Sequence, residues 1–251
     1  YGQTTGSATT AIGWNVLQAT VTGNHNVGVG NDALRNNTSG VGNVSIGSQS
    51  MYYTTTSNYN AALGYNALNA NTTGLQQVAI GAFTLDASTT GNYNVGVGYG
   101  VLTASTTASD NTAMGLSAGA SVTTGARNTL IGRSVAEALT TGSDNIYIGY
   151  VAGVSATTGN YNTAIGREAF RSQSTASYNT GLGYKVGYAN TTGISNVFVG
   201  YAAGDNNTTG SYNTFLGSLA GDANTEGASN VVVGYAAFDG NTTGNNNTVV
   251  G

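Results

Sequence analysis

Three aspartates, Asp205, Asp222 and Asp239, stand 17 residues apart, and an asparagine follows each by two residues: Asn207, Asn224 and Asn241. Carboxylate and amide oxygens in such a group suit a hard cation. The same residues also read as a solvated acidic ridge, and the calcium-binding Gly-Gly-x-Gly-x-Asp nonapeptide of toxin solenoids is absent. His25 is the single histidine, and the chain has no cysteine. It therefore lacks the company that a catalytic base or a metal ligand keeps, and a structural or solvated role is expected. Glycine pairs such as Gly28 and Gly30 imitate a nucleotide-binding loop, but no helical segment follows to receive a phosphate. Arg133, Tyr150 and Arg167, again 17 apart, can make cation–π contacts. Two ranks of tyrosine share this interval: Tyr65, Tyr99, Tyr184, Tyr201 and Tyr235, and Tyr59, Tyr93, Tyr161, Tyr178 and Tyr212. Exposed, such ranks could grip sugars; tyrosines at fixed register otherwise cover the rim of a core with the hydroxyl in water. Polysaccharide hydrolysis needs two carboxyl groups roughly 5–9.5 Å apart, and the acids here are isolated. No enzyme activity and no cofactor are expected.

The interval matters more than any one of these residues. Asn162-Thr163-Ala164-Ile165-Gly166 is the cleanest copy of a motif that returns every 17 residues without insertion or deletion. Its closing glycines are Gly13, Gly30, Gly47, Gly64, Gly81, Gly98, Gly115, Gly132, Gly149, Gly166, Gly183, Gly200, Gly217, Gly234 and Gly251. Counting from the asparagine, position 1 is Asn in 13 of 15 copies, with Thr9 and Gln77 as exceptions. Position 2 is Val, Ile or Thr except at Ala61, position 4 is apolar, and positions 13 and 14 are mostly Thr-Thr. Position 15 is Gly in 12 of 15 copies, replaced by Ser57, Ala108 and Ala176. A fixed period over the whole chain is the mark of a solenoid. The expected fold is all-β, a parallel β-solenoid of 17 residues per coil and about 14–15 coils, one continuous array over 1–251.

Alternation and β-branching identify positions 1–5 as a strand. Positions 17, 2, 4 and 6 share one face, and positions 16, 1, 3 and 5 the other. Two glycine turns per coil predict two strands of about five residues each. Equivalent residues then stack at ~4.8 Å, where asparagines can form hydrogen-bonded ladders and like charges repel by roughly 1 kcal/mol even in water. That explains why charged residues are only 6% and the net charge is −4. The remaining charges fit the stacking: Asp110, Arg127 and Asp144 alternate in sign at position 17, and Glu168 and Lys185 adjoin at position 7. No basic face suggests a nucleic-acid partner, and no apolar run reaches the ~18 residues of a membrane span. The chain begins at Tyr1 with no visible signal peptide, which reads as a fragment or processed product.

Positions 3 and 9 trade volume. Ala11, Gly28, Ser45, Ala62, Ala79 and Gly96 accompany Leu17, Leu34, Met51, Leu68, Leu85 and Leu102; later Tyr147, Phe198 and Phe215 accompany Gly153, Gly204 and Gly221. Ala164 with Phe170 returns to the first arrangement, while Ala113 with Gly119 and Gly181 with Gly187 are both small, and Val232 with Phe238 both bulky. Complementary volumes indicate one shared packed space. Position 3 faces away from the apolar positions 2 and 4, so both faces of the strand are expected to be buried. A thin roll has one interior, and an identical chain is the simplest cover for the second face, with cyclic symmetry. A wide single-chain coil packed on both layers is the alternative.

Thr158–Gly166 resembles the Thr-Gly-x-Asn-Ser-Val-Ala-Ile-Gly turn-and-strand motif of YadA-like trimeric autotransporter adhesin heads. The 17-residue unit, as in Asn196 to Tyr212, is similar to repeats of phage tail-fibre proteins and related bacterial surface proteins. The resemblance implies a left-handed parallel β-roll with three chains wound into a prism, although the adhesin heads use a shorter coil. It implies a homotrimeric, extracellular segment, the shaft of a tail fibre or cell-surface adhesin that supports attachment to a cell surface, with a surface glycan or receptor as the outside partner. Fourteen coil steps would span roughly 65–70 Å. Two other classes stay open: an ice-binding solenoid using its threonines, and a tailspike segment that binds or degrades polysaccharide.

Overall fold

The computed structural model describes residues 5–19 and 21–251. The chain divides into two compact units, Tyr1–Ala126 and Arg127–Gly251. The first holds β1 (Thr10–Ile12), β2 (Val27–Val29), β3 (Val44–Ile46), β4 (Ala61–Leu63), β5 (Val78–Ile80), β6 (Val95–Val97) and β7 (Thr112–Met114). The second holds β8 (Thr129–Ile131), β9 (Ile146–Ile148), β10 (Thr163–Ile165), β11 (Thr180–Leu182), β12 (Val197–Val199), β13 (Thr214–Leu216), β14 (Val231–Val233) and β15 (Thr248–Val250). Within each unit every strand pairs in parallel with the strand of the next coil, as in Val27↔Val44 and Thr163↔Thr180, always in a register of one period. The described residues contain no helix. Each unit is thus a parallel β-solenoid with 17-residue coils.

One expectation fails: each coil has one strand of three residues, not two of about five. The reason lies in the segment after the motif glycine. Residues at positions 7 and 9 adopt left-handed backbone, for example Asp32 (φ 57°) with Leu34 (50°), Phe83 (55°) with Leu85 (53°), and Glu168 (60°) with Phe170 (46°). Left-handed residues at every second position cannot extend into a strand. The arrangement costs roughly 1–2 kcal/mol at each non-glycine left-handed residue. It is held because the peptide groups still point along the stack. Leu85 N–H donates to the Val101 carbonyl (2.9 Å) and Phe83 N–H to the Tyr65 carbonyl (2.9 Å), so the turn segment is hydrogen-bonded from coil to coil as the strand is.

The motif glycine answers to a different constraint. At Gly64 (φ 143°) an added Cβ would stand 2.5 Å from the Gly81 carbonyl oxygen and 2.6 Å from its carbon. Stacked coils bring backbone onto backbone here, so no side chain fits.

Positions 1, 3, 8, 9, 12 and 15 face inward. Position 3 is buried in every strand from β2 to β14, while positions 2 and 4 are half-buried or exposed. This corrects the sequence reading. The volume shared by positions 3 and 9 lies inside each chain's own coils, not between sister chains. A Cβ on Gly153 would stand 2.4 Å from Tyr147 Cδ1, and one on Gly221 2.6 Å from Phe215 Cε2. The doubly small coil of Gly181 and Gly187 is filled from its neighbour: the Phe170 ring lies where both Cβ atoms would be, at 2.6 and 2.3 Å. Phe170 also packs on Phe198 (ring centroids 6.0 Å), which stacks on Phe215 (4.9 Å). In the doubly bulky pair, Val232 is buried and Phe238 only half so.

The polar part of the core is an asparagine ladder. Asn145 Nδ2 donates to Asn128 Oδ1 (3.1 Å) in the previous coil and to the Gly159 carbonyl (2.9 Å) at the closing turn of its own. Its N–H donates to the same Asn128 Oδ1 (3.0 Å). One side chain therefore closes a coil and joins it to the next, which explains its near-invariance along the array. Gln77 takes the place of asparagine in one coil, where the hydroxyl of Ser88 at position 12 donates to Gln77 Oε1 (3.1 Å).

Candidate functional site

With the core closed by asparagine, the chemistry-bearing side chains are left on the outside. The strand's outer face carries positions 17, 2, 4 and 6. Leu63 and Met114 in the first unit, and Ile146, Leu182, Val197, Leu216 and Val231 in the second, stand exposed among the tyrosines. The residues that sequence alternation grouped on one face do share it, but that face looks outward. Tyr161 and Tyr178 stack at 5.2 Å between centroids, and Tyr184 and Tyr201 at 5.5 Å. Position 17 residues are left-handed, from Tyr59 (59°) to Tyr212 (61°). His25 (59°) sits among them with an exposed side chain, apart from any cluster that could hold a metal.

The charges pair where their register placed them. Arg127 Nε and Nη2 donate to the two Asp144 carboxylate oxygens at 2.7 and 2.8 Å. That bond holds the exposed Asp144 carboxyl below its ordinary pKa. Lys185 Nζ lies 3.9 Å from Glu168 Oε2, and Arg167 Nε donates to Glu168 Oε1 at 3.0 Å. Arg133 and Arg167 lie 5.9 and 5.6 Å from the Tyr150 ring centre. Arg167 also faces Tyr184 (5.8 Å), and Lys185 faces both Tyr184 (5.7 Å) and Tyr188 (5.2 Å). Cation and ring thus alternate from Arg133 through Tyr150 and Arg167 to Tyr184, above which Tyr184 stacks on Tyr201.

Most charge occupies the turn segment. Asp32, Glu168 and Lys185 lie at position 7, and Arg35, Asp86, Glu137, Arg171, Asp205, Asp222 and Asp239 at position 10, ten of the sixteen charged residues. Residue size and charge vary widely at these two positions, as they do at position 17. Sequence reasoning treated the segment as a looser second strand and did not anticipate a cleft on it; the signal available was that clustering of charge.

Of the three aspartates, Asp205 and Asp222 are half-buried and Asp239 is exposed. Asn207, Asn224 and Asn241 turn the other way, into a second asparagine ladder: Asn224 Nδ2 donates to Asn207 Oδ1 (2.8 Å) and Asn207 Nδ2 to Asn190 Oδ1 (3.0 Å). Their amides are thus committed away from the aspartates. Among the described residues no group of three or more His, Cys, Asp or Glu could hold a metal ion. Burial raises the Asp205 pKa, opposed by Lys185 and helped by Asp222 and Glu168; burial likewise raises that of Asp86. Tyr147, wholly inside, has its phenol pushed far above the ordinary value by burial.

In the first unit this segment forms a cleft of about 250 Å³ lined by Asp32, Arg35, Gln49, Tyr52, Tyr53 and Asn69. Arg35 donates from Nε to Gln18 Oε1 (2.7 Å) and from Nη1 to the Tyr52 hydroxyl (2.7 Å). The Tyr53 ring meets Tyr52 edge-on at 4.6 Å. Asn69 Nδ2 donates to the Gln49 carbonyl at 2.8 Å.

Comparison of the chain with protein-family models, with curated proteins and with solved structures gave no match.

Proposed function

We propose that the chain is a structural and adhesive fibre segment, the shaft of a phage tail fibre or bacterial surface adhesin, working as a homotrimer outside the cell. The observation that carries this reading is the outward apolar face. A chain that leaves Ile46 (38% exposed), Leu63 (46%) and Ile80 (40%) uncovered on three successive coils of the first unit, and Leu182 (50%) in the second, presents an apolar face in each unit, and contiguous apolar patches mark interaction surfaces. The face repeats at the interstrand spacing of ~4.8 Å. A second copy of the chain in the same axial register repeats at that spacing along its whole length, and an aperiodic partner does not. Closed cyclic symmetry then satisfies all copies alike. The turn-and-strand motif's resemblance to trimeric adhesin heads supports three copies.

The chemistry of the surface favours mechanical over catalytic work, since carboxylates such as Asp144 and Glu168 are engaged by cations. Ice binding is disfavoured by the threonines themselves. At position 13 their hydroxyls donate to the carbonyl of the next coil, as Thr191 does to Thr208 (3.0 Å) and Thr208 to Thr225 (3.0 Å). Light scattering at micromolar concentration should give three times the 25.1 kDa chain mass, with Leu63→Glu and Leu182→Glu together producing a folded monomer. A parent chain that runs as a monomer rejects the assembly.

A further inference from the structure

We propose that the cleft of Asp32, Arg35, Gln49, Tyr52, Tyr53 and Asn69 binds a neutral sugar. The proposal gives the adhesive reading a ligand class and rests on it for its purpose, not for its chemistry. A pyranose presents an apolar C–H face and an edge of hydroxyls that both donate and accept. A site for one needs an open aromatic face beside fixed acceptors and donors. The cleft has each. Asp32 Oδ1 is buried without a hydrogen-bond partner. Its nearest cation, Arg35 Nη1, lies at 3.6 Å, too far for a hydrogen bond. A buried acceptor left unmatched costs free energy, and paired sugar hydroxyls are donors of the right kind.

Arg35 is held in place by Gln18 and Tyr52, and its Nη2 donates no hydrogen bond among the described residues. Asn69 is pinned through its amide nitrogen, which leaves its oxygen as an acceptor. Tyr53 is 53% exposed and meets Tyr52 with the ring planes at 71°, a contact that covers at most one face of the Tyr53 ring, whereas the Tyr52 ring is itself faced by Arg35 (5.4 Å). The volume of about 250 Å³ falls just below the ~300–1,000 Å³ of pockets that take drug-sized ligands, which suits a single sugar ring. Asp32 and Arg35 offset each other, so a neutral sugar fits better than an acidic one. The equivalent place in the second unit lacks the second ring: Tyr188 faces Arg171 (5.5 Å) as Tyr52 faces Arg35 (5.4 Å), but Ala189 follows it where Tyr53 follows Tyr52.

The test is saturation-transfer NMR of the intact chain with D-glucose, D-galactose, D-mannose and N-acetyl-D-glucosamine, each at millimolar concentration. At least one sugar should receive saturation. The signal should fall at least fivefold in Asp32→Gly, which keeps the left-handed backbone accessible, and in Tyr53→Ala, an exposed change that leaves the core untouched. Tyr188→Ala, at the equivalent place in the second unit, should leave it unchanged. Absence of transfer to all four sugars, or transfer that survives both cleft substitutions, overturns the proposal. A trimer that binds no sugar would remove this site and leave the fibre reading standing, whereas a sugar-binding monomer would do the reverse.

Discussion

The asparagine at position 1 illustrates how one residue type can carry both closure and stacking. Asn145 Oδ1 accepts the N–H (3.0 Å) and the Nδ2 (3.1 Å) of Asn162, while its own Nδ2 reaches Gly159. Asn145→Ala strands several buried groups at once, each worth about 1–3 kcal/mol when unmatched. A loss of about 2–4 kcal/mol in denaturant unfolding is expected, against almost nothing for Thr243→Ala at an exposed position without left-handed backbone. Asp86 offers the opposite case. Burial raises its carboxyl pKa above the ordinary value of 3.8, so the ionised form disfavours the fold. The contribution is present below that value and is lost as pH rises through the raised pKa. Asp86→Asn should therefore raise the melting temperature at pH 7 and leave it unchanged at pH 3. Asp144 has the reverse sign, since Arg127 lowers its pKa: its small contribution is present above pH 3.8 and fades as pH falls.

At the scale of the coil, the interior holds about one large side chain per layer, supplied from position 3 or position 9. Phe215→Ala should cost about 3–5 kcal/mol through the cavity it leaves. Gly221→Leu should also destabilise, because its Cβ meets the Phe215 ring at 2.6 Å. Together they recreate the arrangement of Ala79 with Leu85, where leucine already takes φ 53°. The double variant should be more stable than either single one, a coupling that a double-mutant cycle reads directly. If the two costs simply add, positions 3 and 9 do not share their space. The trade in volume was legible from residue sizes alone. Its location was not, because residue sizes report that two positions meet and not which wall lies behind them.

At the scale of the whole molecule, the scarcity of charge follows from stacking, and the exposed apolar face of each unit makes assembly the expected state. Glutamate at both Leu63 and Leu182 tests this by mass, as set out above, and melting should become concentration-dependent in the parent chain but not in the variant. The candidate cleft was the least legible part. Its residues come from three coils, and each is unremarkable in its own 17-residue copy. Only the left-handed turn segment, which no glycine or proline announces at Asp32, Gln49 or Leu34, brings them together.

The spacing of residues alone determined the period, a parallel strand within positions 1–5, the one-coil register and the columns in which side chains stack. All of these follow from a repeat without insertions, since equivalent residues must meet when equal coils pile up. The tertiary structure decided which side of the strand is inside. Alternation sorts residues into two faces without ranking them, and here the apolar face is the outer one. A 17-residue coil has room for a single large side chain, and the buried amide of asparagine must close each turn. Branched residues at both positions 2 and 4 would overfill that space and displace the amide ladder, so they face outward.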